Sequence, residues 1–405
     1  MIDTVYCELH NIKKTITGDF MASILLPDRH GSPTTLAWNA PARLDTRSTP
    51  PTSRAVYAAA HVVADPLRAS AENAADQIDW DATLHLRRDL WSLGLGVAES
   101  MDTAQRGMGL DWAAAKELAV RTLADAKSVG GKVVVGVATD QLKTDNPSLD
   151  EIRDAYLEQV EAIESAGGEV VLMASRHLAR AATGPDDYLA VYDAVLSAAT
   201  RPVVLHWLGS VFDPALDGYW GFADPGAAMD TVLQIIDAHR DTVRGIKVSL
   251  LDPALEIALR ERMPAGVRVF TGDDYNYVGL IAGDGTHTSD ALLGAFAALG
   301  PFASAAFARL DDGDEQGFRN ILGPTETVSR LLFAAPTQYY KVGVAWLAYL
   351  NGKQEHFRMI GGFETGRSLT HLAELVRAAD AIGLFTDPDF TAARTSAYFA
   401  VHGIH

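Results

Sequence analysis

From about residue 54 the chain alternates between short, near-continuous apolar runs and longer segments whose apolar residues return with helical spacing. The apolar runs predict strands at RAVYAAAHV (54–62), LGLGVAES (93–100), KVVVGVATD (132–140), EVVLMAS (169–175), PVVLHWLG (202–209), RGIKVSL (244–250) and VRVFTGD (267–273). A weaker eighth signal falls at DGTHTSD (284–290). Between them lie helical patterns such as DWAAAKELAVRTLADAKSV and SLDEIRDAYLEQVEAIESAG; the second opens on the capping run Asn146-Pro147-Ser148 and closes on a glycine pair. Buried strands alternating with amphipathic helices predict a parallel sheet covered on both faces. Eight of them in about 235 residues fit an α/β fold of the (β/α)8 TIM-barrel type, for which roughly 250 residues is typical. A doubly wound open sheet would want a Gly-rich first turn, and the chain has no phosphate loop of that kind.

The flanks differ in texture. Residues 1–52 form an N-terminal extension with strand-like patches (TVYCELHNI, MASILLP) and a turn-rich tail, ARLDTRSTPPTS, that reads as a linker. The barrel is expected over 53–295. Over 296–405 strand signals stop, and PFASAAFARLDDGDE, FRNILGPTETVSRLLFAA, TQYYKVGVAWLAYLNG and LTHLAELVRAADAIGL predict a C-terminal helical region.

Charge narrows the partners. With 34 Lys plus Arg against 52 Asp plus Glu, the net charge is −18, so phosphate backbones and anionic membranes are repelled. No apolar run reaches the roughly 20 residues that span a bilayer, and the polar start MIDTVYCELHNIKK does not fit a signal peptide. The single cysteine, Cys7, allows neither an internal disulfide nor a cysteine-based zinc site. The expectation is a cytoplasmic protein acting on a small molecule, with no membrane, no nucleic acid and no cofactor.

In a barrel enzyme the reacting groups sit at the carboxyl ends of the strands. Lys247 stands out there, because an ammonium inside RGIKVSL is costly to desolvate unless it is paired or used. Used, it is an amine nucleophile toward a carbonyl compound. At an ordinary pKa near 10.4 only about one molecule in two thousand is neutral at pH 7, and an apolar surrounding lowers that handicap. His206 and His177 titrate in the range for proton transfer. Asp273 and Asp274, in TGDD, stand where one of them can hold Lys247 or a substrate hydroxyl, or where both form a turn. Asp290 sits in an eighth strand that is unexpectedly polar. Arg176 offers a fork to an acidic group, beside Ser175.

The order GIK at the sixth strand, TGDD at the seventh, LDWAAAKELAVRTL, VVVGVAT and PTQYYKVGVAWLAYLNG resembles the dihydrodipicolinate synthase and N-acetylneuraminate lyase family of class I aldolases, in register from about residue 53 to 355. The resemblance implies a barrel with a helical C-terminal region, assembly as a dimer or tetramer, and Lys247 as the Schiff-base lysine. There are departures. The family's Gly-Thr-Thr-Gly-Glu run is replaced by AESMDTAQRGMG, where Ser100, Asp102 and Thr103 lie near the expected position. The family's proton-shuttling tyrosine after strand four gives way to MASRHLAR, and its Tyr-Asn at strand five to His206-Trp207.

The expected function is therefore a lysine Schiff-base lyase, an aldolase or dehydratase, acting on a small carbonyl compound such as a keto-sugar or 2-keto acid. Lys247 forms the imine, His206 or His177 moves the proton, and Ser100, Asp102, Thr103, Ser175, Arg176, Asp273 and Asp290 bind substrate. Two alternatives keep the barrel. In one, Glu99, Asp140, His206, Asp273 and Asp290 gather a divalent metal for a lyase, isomerase or hydrolase. In the other, the barrel only binds a ligand.

Overall fold

The computed structural model describes residues 23–71 and 77–404. Eight parallel strands close into a barrel: β3 (Val56–Ala59), β4 (Gly96–Glu99), β5 (Val133–Val137), β6 (Glu169–Leu172), β7 (Val203–Leu208), β8 (Val243–Ser249), β9 (Arg268–Thr271) and β10 (Asp290–Leu293), with β10 pairing back to β3. Helices alternate with them: α1 (Trp80–Ser92), α2 (Trp112–Val129), α3 (Leu149–Ser165), α4 (Arg176–Ala181), α5 (Pro185–Ala198), α6 (Pro225–Ala238), α7 (Pro253–Glu261) and α8 (Tyr277–Ala282). The expected (β/α)8 barrel is what forms.

Local chemistry places the helix ends. Ser148 caps α3 in a capping box with Glu151, and Asp111 caps α2, which stops at the left-handed Gly130. Seven of the eight strands fall where the apolar runs put them. The eighth does not: 284–289 is irregular, and the strand is Asp290–Leu293, which overlaps the polar run only at Asp290. Asp284 accepts the N–H groups of Thr286 and His287, so the polar run folds on itself rather than lining the barrel.

After the barrel come α9 (Phe296–Asp311), α10 (Glu315–Leu322), α11 (Thr325–Leu332), α12 (Tyr340–Leu350), α13 (Leu369–Ala381) and α14 (Pro388–Ala400). Helix α12 is apolar on nearly all sides and is buried accordingly among α9, α11, α13 and α14. It also touches the turn Asp102–Ala104 that follows β4, which brings it over the carboxyl end of the barrel.

Of the N-terminal patches, MASILLP supplies β1 (Ile24–Pro27), paired antiparallel with β2 (Pro33–Leu36); TVYCELHNI and Cys7 lie outside the described residues. The hairpin packs on α13 and α14. The tail after it is a strap more than a loose linker. Asp380 accepts hydrogen bonds from the backbone and side chain of Asn39, and Asp311 accepts the N–H groups of Thr52 and Ser53.

Candidate active site at the carboxyl end of the barrel

Strand alternation decides which side chains enter the barrel. Tyr57, Val134, Val171, Val204, Phe270 and Leu292 pack together as its floor. Moving toward the carboxyl ends, the next inward positions are His206 on β7, and Lys247 and Ser249 on β8, where Lys247 is paired in register with His206 and Phe270. Space for these side chains comes from glycine. A Cβ on Gly272 would stand 2.2 Å from Ser249 Oγ and 2.8 Å from Lys247 Cε. One on Gly294 would stand 2.9 Å from the Tyr340 ring.

Lys247 opens onto a chamber of about 20 Å³ that it shares with Asp102, Thr103, Ser249, Asp274 and Tyr340. Among the described residues no carboxylate oxygen comes within 4.0 Å of its Nζ. Burial pulls its pKa down, against an upward pull from the more distant Asp274 and Asp102. Burial pushes Asp274 the other way, up to about 7, although the Ala295 N–H and Lys247 favour its charged form. Tyr340 reaches in from α12, stacked on Phe333 at 4.2 Å, with its hydroxyl 2.6 Å from Thr103 Oγ1. Burial keeps that phenol protonated.

A second, outer chamber of about 80 Å³ adjoins the first, and Asp102 and Leu208 line both. Its polar lining includes Thr139, Ser175, His177 and two guanidiniums, each already engaged: Arg106 with Asp140 at 2.6 Å, and Arg176 with Asp213.

Lys247, Asp102 and Thr103 therefore meet in one chamber, while other candidates lie elsewhere. His206 is fully buried with Nε2 3.1 Å from Ser249 Oγ, and it does not line the chamber; burial and the nearby Lys247 hold it neutral, well below its ordinary pKa. His177 belongs to the outer chamber, 2.9 Å from Thr139, so neither histidine lines the chamber onto which Lys247 opens. Ser175 caps α4 and bonds Thr139, and Ser100 donates to the Ala115 carbonyl between barrel and helices. Asp273 is the turn former, accepting the N–H groups of Tyr275 and Asn276, and its neighbour Asp274 is the one that faces the lysine. Asp290 begins its strand, so it sits at the opposite, amino end of the barrel, ion-paired with Arg268.

The residues of the metal alternative do not gather. Glu99 points into the helix layer, in a bidentate pair with Arg87 at 2.8 and 2.9 Å, and the described residues contain no group of three His, Cys, Asp or Glu placed to hold an ion.

Sequence reasoning missed Tyr340 and Lys341. Lys341 is a buried lysine, its amine 3.4 Å from Met108 Sδ and its pKa pulled down to about 8 by burial. The available signal was a lysine inside an all-apolar helix, YYKVGVAWLAYL.

This arrangement, a closed eight-stranded parallel barrel with alternating helices and a C-terminal helical region, is the fold of the dihydrodipicolinate synthases. The Thermotoga maritima enzyme superposes with a TM-score of 0.62 at 15% identity, over 82% of this chain and 99% of that one. Dihydrodipicolinate synthase from Acinetobacter baumannii, chloride-inhibited and complexed with pyruvate, gives 0.62 at 14% identity over 82% and 100%. A dihydrodipicolinate synthase from Bacillus anthracis gives 0.55 at 16% over 72% and 87%. No curated protein matches the sequence. The chain belongs to the family described as "Protein of unknown function (DUF993)", which it matches over residues 24–404.

Proposed function

We propose that the protein is a lyase working through an imine on Lys247, an aldolase or dehydratase for a small carbonyl compound. The observation that carries this is an amine that forms no ion pair with the described residues, turned onto a chamber that also holds a proton-exchanging carboxyl and a phenol. Neutral Nζ attacks the carbonyl carbon, and the carbonyl oxygen takes up one proton from the amine and a second from the surrounding acids and leaves as water. The resulting protonated C=N draws in the electron pair of a neighbouring C–H or C–C bond, giving an enamine. In dehydration that enamine then expels a hydroxyl as water; in aldol cleavage an aldehyde departs.

Three groups serve these proton transfers. Asp274, titrating near neutrality, exchanges protons at the working pH. Tyr340 remains a donor toward the oxygen being lost, with Thr103 orienting its hydroxyl. His206 acts at one remove, by holding Ser249. The bland outer chamber, with its guanidiniums already paired, receives the rest of the molecule.

An electron sink can be tested without knowing the natural substrate. In D2O, a small ketone incubated with the protein is expected to exchange its α-hydrogens, followed by proton NMR, and Lys247→Ala is expected to lose the exchange. Undiminished exchange by Lys247→Ala would remove the reading.

A further inference from the structure

Building on the imine reading of Lys247, we infer that the substrate is a hydroxycarbonyl compound with a hydroxyl, not a carboxylate, on the carbon beside its carbonyl, and that Asp102 makes this choice. Asp102 lies in the turn after β4 and lines both chambers, so any molecule joined to Lys247 passes it. Of the other carboxylates facing these chambers, Asp140 is held by Arg106 and Gln159, Asp213 by Arg176, and Asp274 accepts the Ala295 N–H on one oxygen. The Asp102 carboxylate accepts no hydrogen bond and makes no ion pair with the described residues; only its backbone carbonyl accepts, from the Gln105 N–H. A carboxylate has lone pairs for about four donors, and a ligand that brings none leaves it desolvated. A hydroxyl brings one.

The rest of the lining agrees. Thr103, Ser249 and Tyr340 offer hydroxyls, and no unpaired guanidinium of the described residues faces either chamber. A 2-oxo acid carries its carboxylate one bond from the imine carbon, which confines that charge to the small inner chamber with Asp102 and Asp274. An ammonium in place of the hydroxyl would be repelled by Lys247 and by the buried Lys341, both within the electrostatic reach of Asp102.

Hydroxyacetone and pyruvate share a three-carbon skeleton and differ in CH2OH against COO⁻, which makes them the probes. Each is incubated with the full-length protein and borohydride; the imine C=N accepts hydride and becomes a stable secondary amine on Lys247, and its rate of formation is read by mass spectrometry. Rates are normalised to those of the same two compounds with a free amine, which removes their intrinsic reactivity. The expected result is at least tenfold faster labelling by hydroxyacetone, with Asp102→Asn cutting that preference severalfold. Because both probes use one lysine, any change in its basicity cancels from the ratio. Wild-type labelling by pyruvate at an equal or greater normalised rate overturns the proposal and leaves the imine standing. No label on Lys247 from either probe overturns the imine reading, and this proposal with it.

Discussion

A single methyl group added at Gly272 would meet Ser249 Oγ, Lys247 Cε and the Val248 carbonyl, the last at 2.9 Å. Two of those three atoms belong to the side chains that define the chamber, and the third is backbone that cannot yield. Gly272→Ala is therefore expected to slow labelling of Lys247 by at least about tenfold and to lower the melting temperature, since overpacking costs about 1–3 kcal/mol. Tyr340→Phe removes only a hydroxyl. It is expected to reduce turnover by roughly 10²–10⁴-fold, the span typical of a lost general acid, with the melting temperature little changed. Asp274 bears on the lysine through its charge, which raises the lysine's pKa and opposes the effect of burial. Asp274→Asn removes that opposition, so the pH profile of Lys247 labelling is expected to move to lower pH; a move to higher pH would contradict the assignment.

The strands and helices show what a linear pattern can carry. Seven barrel strands were legible because a parallel strand covered on both faces must be apolar along its whole length, as in VVVGV and VVLHWL. The eighth misled because Asp290 stands at a strand's start, paired with Arg268, and the polar run before it is irregular. Glu99 illustrates the two faces of one strand. It looked like a residue at the mouth, yet it points outward into a buried pair with Arg87, and breaking that pair by Glu99→Ala is expected to cost about 3–5 kcal/mol in denaturant unfolding. Helix α7 carries a pH-sensitive element. Burial pushes Glu256 up from 4.5 to about 8, so it holds its proton when folded and sheds it on unfolding. A group raised in this way gives its full stabilisation below its unfolded pKa and loses it as pH climbs to the folded one. Glu256→Gln, which keeps an acceptor for the Ser289 hydroxyl, is expected to gain in melting temperature over the wild type as pH rises from about 5 to about 8.

At the scale of the molecule, the candidate site is assembled from both halves of the chain. The barrel supplies Lys247, Asp102 and Asp274, and α12, more than sixty residues beyond Asp274, supplies Tyr340 and covers the opening. Lys247 was legible because a charge in an apolar strand is anomalous on its own. Tyr340 was not, because a tyrosine in an apolar helix is ordinary until tertiary packing sets it against Thr103. The same long-range closure ties the N-terminal hairpin to α13 through Asn39 and Asp380. The account's central claim is that Lys247, and not Lys341, the other lysine of the described residues whose pKa burial pulls down, is the nucleophile. The direct measurement is peptide-resolved mass spectrometry after borohydride reduction with a hydroxyketone. It is predicted to place a single adduct on Lys247 and none on Lys341; an adduct on Lys341 alone, or scattered over surface lysines, would contradict it.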